Sequence, residues 1–173
     1  MAIRRYVADA DNTITNAYES NLTTRATGSN TGKADVVEVY SIYGRQSTSS
    51  AELSRVLMKF PVTSISSDRT AGTIPGSGSV SFYLRVFNAE TSKTVPRNMN
   101  MVIQAISQSW QEGDGLDLEN YQDETVGNEG SNWMSASNTQ FWTDINGTLL
   151  AGGSYHTQST ANADVDTEVF IFD

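Results

Sequence analysis

The side chains able to do chemistry are few, and most of them fall late in the chain. Asp114, Asp117, Glu119, Asp123, Glu124 and Glu129 lie close together in a stretch that also holds Gly113, Gly115, Gly127 and Gly130. Spaced carboxylates on a Gly-rich loop suit a hard cation such as calcium, which gathers several oxygen ligands at about 2.3–2.6 Å. Asp114, Asp117, Glu119 and Asp123 are the ligands such an ion would take. The spacing is not that of an EF-hand, and a solvated acidic loop accounts for the same residues. Glycoside hydrolysis would need two rigid, opposed carboxyl groups, which spacing alone does not supply.

Nucleophilic chemistry has less to draw on. The chain has no cysteine and one histidine, His156, just after Gly152 and Gly153. That excludes a thiol nucleophile, a disulfide framework and a Cys-rich zinc site, and any Ser-His-Asp triad would depend on His156. The expectation is a protein without catalysis and without a cofactor beyond such a calcium ion.

The late aromatics carry the second chemistry. Trp133, Phe141 and Trp142 are the expected contact residues, because large rings on a loop-rich rim stack on sugars or anchor a protein partner. Plugging the end of a core suits Trp110 and Trp142 equally. Arg4 and Arg5 open a basic N-terminal patch, continued by Arg25 and Lys33, that fits an acidic partner surface.

The elements that must position these residues read as strands. In 173 residues there are 21 Ser, 19 Thr, 13 Asn and 13 Gly, a composition that disfavours helix and leans all-β. Val80, Phe82, Leu84 and Val86 alternate with Ser79, Ser81, Tyr83, Arg85 and Phe87, the period of a strand with one apolar face. Residues 99–110 are apolar on both faces and predict a central strand, and 35–43 predict another. Ser49 followed by Glu52 permits a capped helix, but alternation up to Phe60 and the extended bias imposed by Pro61 favour a strand from about Arg55. A helical turn is expected within 65–72. Residues 111–153 read as long loops with one short strand around 141–145, and a loop run of that length marks a functional or partner-covered surface. No linker or repeat divides residues 1–173, so a single domain is expected.

Charge narrows the partners. Eleven basic and 20 acidic residues give a net charge of −9, which disfavours phosphate backbones and anionic lipid. No nucleic-acid or membrane partner is expected, and neither a signal-peptide pattern nor a long apolar run is present. All eleven cations lie in the first 97 residues, an asymmetry that favours head-to-tail docking of copies.

The order of the motifs is also informative. Ala8-Asp9-Ala10-Asp11, Thr13 to Tyr18, Ser54 to Phe60, Val80 to Phe87 and Ile106 to Gly113 follow one another as in the DNRLRE-type β-sandwich domain, which this chain resembles over roughly residues 8–155. Trp110 to Asp117, Asn132-Trp133, Trp142 and Gly152-Gly153 are similar to motifs of virion structural proteins of marine tailed phages. The resemblance implies a jelly-roll-like antiparallel β-sandwich with long loops and no catalytic residue. It also implies a place in the virion, as head decoration or cement, neck or tail component. Homo-oligomers and other virion proteins are then the expected partners, with carbohydrate binding by the loop aromatics as the alternative. Members of that group continue past the equivalent of residues 167–172. The expectation is therefore that the natural chain is longer or that a neighbouring subunit supplies a closing strand.

Overall fold

A computed structural model describes residues 3–92, 99–116, 129–156 and 168–172. Strands dominate, as the composition predicts. Strand β1 (Ala10–Thr15) pairs antiparallel with β3 (Ala51–Lys59), and β3 pairs over its first three residues with β2 (Ser41–Tyr43). Isolated bridging of Ile14 to Asn30 extends this sheet beyond the other edge of β1. Between β3 and the next strand lies one helix, α1 (Val62–Thr70), none of whose side chains is buried. Strands β4 (Met99–Ile103) and β7 (Glu168–Phe172) form an antiparallel pair, and β5 (Ser135–Ser137) with β6 (Gln140–Phe141) forms a small hairpin.

Directly opposed residues of an antiparallel pair share a face. The β1–β3 register therefore puts Asn12 and Ile14 on the same face as Leu57, Arg55 and Leu53. On that face sits the apolar core, where Ile14 and Leu57 pack with Trp133, Ala136 and Trp142, bordered by Leu53, Ile106, Trp110 and Leu150. Thr13 and Thr15 share the opposite face with Ser54 and Val56.

Strand β1 is unusual because Asn12, Thr13, Ile14 and Thr15 are all fully buried although three of them are polar. Each polar side chain is satisfied by a different part of the chain. Asn12 Nδ2 donates to Ser131 O at 2.9 Å and Ser131 Oγ at 2.8 Å, while Asn12 Oδ1 accepts from Thr31 N at 3.0 Å. Thr13 Oγ1 accepts from Glu38 N at 3.0 Å. Thr15 Oγ1 donates to Leu53 O at 2.9 Å, accepts from Ala17 N at 3.0 Å and meets the Tyr40 hydroxyl. The strand is thus a hub that gathers segments 30–40 and 129–133 around itself.

The loops close on it without room for side chains. Asn30 Oδ1 accepts from Gly115 N at 3.0 Å, and Asn30 Nδ2 donates to Glu129 O at 3.1 Å. A Cβ on Gly113 would lie 1.9 Å from Asn30 Oδ1, and one on Gly115 would lie 1.9 Å from Asn30 O. Glycine at these positions lets three loop segments stack backbone against backbone.

The sequence expectations divide by whether a ladder partner exists. Residues 51–59 form the expected strand, begun earlier than Arg55. Glu52 does not box a helix cap; it is fully buried, with Oε2 accepting from Tyr18 N at 2.7 Å and from Arg45 Nη1 at 3.1 Å. Residues 35–43 contribute only β2, since Tyr40 N and Glu38 O are taken by the Ser54 hydroxyl instead of a ladder. The strand expected at 99–110 stops at Ile103 and has β7 as its one ladder partner among the described residues. Residues 167–172 were expected to leave an open edge, and β7 pairs on one side with β4. Segment 80–87, expected to be the clearest strand, belongs to no described sheet.

Two substitutions test this arrangement. Asn12→Ala removes three buried hydrogen bonds and should lower stability by about 2–4 kcal/mol, seen as a lower urea midpoint at unchanged slope. Gly113→Ala should cost about 2–3 kcal/mol in the same measurement, because Asn30 must leave its partners to admit the methyl group.

Candidate functional site

The Trp-Gln-Glu-Gly stretch and the aromatics after it turn out to hold the fold together. Gln111 N donates to Ala136 O at 2.9 Å, Ser131 N donates to Gln111 O at 2.8 Å, and Glu112 Oε1 accepts from Asp11 N at 2.9 Å. Trp142 is 0% exposed and its Nε1 donates to Asn132 O at 2.8 Å. Trp133 is 7% exposed, and its backbone is held by Thr27 and Gly152. The structure therefore places Trp133 and Trp142 in the core, away from any surface where a sugar or partner could stack. Phe141, at 57% exposed, remains on the surface.

Arg55, which sequence reasoning left out, completes this cluster. Its guanidinium donates to Gly152 O and sits 5.1 Å from the ring centres of both Trp133 and Tyr155. The left-handed φ of +78° at Gly152 permits that approach, since a Cβ there would lie 2.7 Å from Trp133 Cζ2. A single arginine at the inward-facing position of a strand, two residues before Leu57, was the available signal.

Several other cations are also engaged inside the molecule. Arg25 donates to Asn16 O at 2.6 Å and stacks 4.1 Å from the Tyr18 ring centre, and Arg45 donates to Tyr18 O at 2.7 Å and pairs with Glu52. Arg4 is exposed and pairs with Asp68 of α1 at 2.8 Å. Arg5 is exposed beside it. The charge asymmetry of the sequence is thus partly spent on internal contacts.

Of the acidic cluster, Asp114 is half-buried, and its Oδ1 has no hydrogen-bond partner among the described residues. Asp117, Glu119 and Asp123 lie outside the described residues. Among the described residues no group of three or more His, Cys, Asp or Glu could hold a metal ion. Asp144 instead organises a turn, with Oδ1 accepting from Asn146 N and Thr148 N, both at 2.8 Å. These bonds, from Thr148 above all, hold its carboxyl below the usual range.

One part of the remaining surface is an apolar groove. The N-terminal segment at Tyr6, Val7 and Ala8, the end of β3 at Met58 and Phe60, and residues 84–87 enclose a groove of about 330 Å³. The adjoining segment continues outward with Phe82 at 59%, Tyr83 at 88% and Phe87 at 78% exposure. No backbone hydrogen bond joins residues 80–90 to another described residue. One wall of the groove is pinned by Asp68, whose Oδ2 accepts from the Tyr6 hydroxyl at 2.7 Å and from Arg4 Nε at 2.8 Å. The Tyr6 bond chiefly, with Arg4, holds the Asp68 carboxyl below its ordinary value. Among the described residues no helix is long and apolar enough to cross a membrane.

Comparison of the chain with known protein families, with curated proteins and with solved structures gives no match.

Because the folded pKa of Asp68 is depressed, its tether is fully present above the ordinary carboxylate pKa and is lost as pH falls through the lower folded value. Amide exchange at residues 4–8, corrected for intrinsic rates, should therefore rise only in that acid window. Asp68→Asn should show the released behaviour already at neutral pH, with faster tryptic cleavage after Arg4 and Arg5.

Proposed function

We propose that this chain is a non-enzymatic structural protein of a tailed-phage virion, working through contacts with neighbouring subunits as head decoration, neck or tail component. The observation that carries the reading is the division of its aromatic residues. Trp133, Trp142 and the Trp-Gln-Glu-Gly stretch are consumed in holding loops to β1, whereas Phe82, Tyr83 and Phe87 stand exposed on an extended segment beside an apolar groove. Contiguous apolar surface of this kind marks a macromolecular contact more than a small-molecule cleft. The finer architecture in this proposal is a jelly-roll-like sandwich with the β1–β3–β2 sheet as part of one layer.

Mechanistically, such a protein adds buried apolar surface across a subunit boundary, at about 25 cal/mol per Å² before the cost of association. Mass spectrometry of particles purified through a density gradient should find the chain as a stoichiometric component. Added purified chain should rebind stripped particles, and Phe82→Glu with Phe87→Glu should abolish rebinding without changing the unfolding midpoint. Absence from the particles would sink the proposal.

A further inference from the structure

We infer that residues 80–88 form an intermolecular strand that pairs antiparallel with the same residues of a second copy, centred on Leu84. This rests on the reading that the chain acts through subunit contacts, and it names the occupant of the exposed segment.

The segment is already shaped for pairing. It follows a short 3-10 turn at Ser77–Ser79 and enters extended backbone at Val80, with φ −129° and ψ 138°. Its period-two pattern of Val80, Phe82, Leu84 and Val86 is that of a strand with one covered face. A segment whose N–H and C=O groups make no backbone hydrogen bond to another described residue is a template for another strand.

The sequence of the segment is compatible with itself. With Leu84 opposite Leu84, Phe82 faces Val86, Tyr83 faces Arg85, Ser81 faces Phe87 and Val80 faces Asn88, and each pair occurs twice by symmetry. The apolar face stays continuous across both copies, whereas a shift by one residue would turn the two faces against each other and bring Leu84 opposite Arg85 or Tyr83. Arg85 is the one charged residue between Ser77 and Ala89. In this register it meets the ring of Tyr83, a favourable cation–π partner, and never meets its own counterpart. On its own chain Arg85 already lies 4.7 Å from the Phe87 ring centre. Two chains of net charge −9 repel, so they approach most easily along a stretch that is nearly neutral. The contact is isologous and closes at two copies.

The absence of cysteine makes the test direct. Sedimentation of the full chain across a range of concentrations should give a dimer that persists in high salt, because the contact is apolar and backbone-mediated. Leu84→Cys should cross-link to a covalent dimer with diamide as oxidant, since each Leu84 faces the other. Ser79→Cys should not, because its counterpart lies ten positions away, about 33 Å along the strand. Leu84→Lys should weaken dimerisation on the order of a hundredfold, as should Leu84→Glu, and mixing the two should restore a dimer of one chain each. Circular dichroism of the variants should match the parent chain, as should unfolding midpoints measured at concentrations low enough for every chain to be monomeric. A monomer at all concentrations would overturn this pairing, and if that monomer still rebinds particles, the virion reading survives with a different partner strand. A dimer that is indifferent to Leu84 and dissociates with salt would overturn it in favour of head-to-tail charge docking.

Discussion

A strand buried on both faces usually consists of aliphatic side chains, and three of the four buried residues of β1 are Asn or Thr. Each buried polar atom left without a partner would cost about 1–3 kcal/mol, so the strand can exist only if other segments deliver donors and acceptors to it. Ser131, Thr31, Glu38, Tyr40 and Leu53 do so. The positions of the loops at 30–40 and 129–133 are therefore set by the hydrogen-bonding needs of Asn12, Thr13 and Thr15. Apolar packing fills the single face where Ile14 and Leu57 meet the two buried tryptophans.

That arrangement explains how the aromatic and charged residues are allocated. A loop run cannot cover a polar strand unless something anchors its far side, and Trp133 and Trp142 provide the anchor. Arg55 fills the space between Trp133 and Tyr155, its long stem lying in a largely apolar setting while its head reaches the Gly152 carbonyl. Once these residues are committed, the molecule presents outward an apolar groove and an extended segment.

The parts of this fold that were readable from sequence are those governed by local chemistry. Pro61 and the alternation up to Phe60 end β3 where expected, and turn-rich composition marks the described parts of 111–153 as loops around the short β5–β6 hairpin. Ser49-x-x-Glu52 satisfies the local pattern of a capping box without forming one, because Arg45 and the Tyr18 amide decide the fate of Glu52. The roles of Trp133 and Trp142 were open for the same reason, since an aromatic on a loop can face either way. Segment 80–87 shows the limit most clearly. Its two-residue period is sound, but period alone does not say whether a partner strand lies within the same chain. Asp117, Glu119 and Asp123 fall outside the described residues, and the acidic-loop expectation stands as it was read.

The polar hub has a consequence for how stability depends on temperature. Exposing apolar surface on unfolding raises heat capacity by about 0.45 cal/K/mol per Å², while exposing polar surface lowers it by about 0.26. A protein whose interior is built around Asn12, Thr13, Thr15, Asn30 and Ser131 releases an unusually polar surface when it opens. That part of the interior adds little to the heat-capacity increment, and so flattens the stability curve relative to an all-aliphatic strand in the same place.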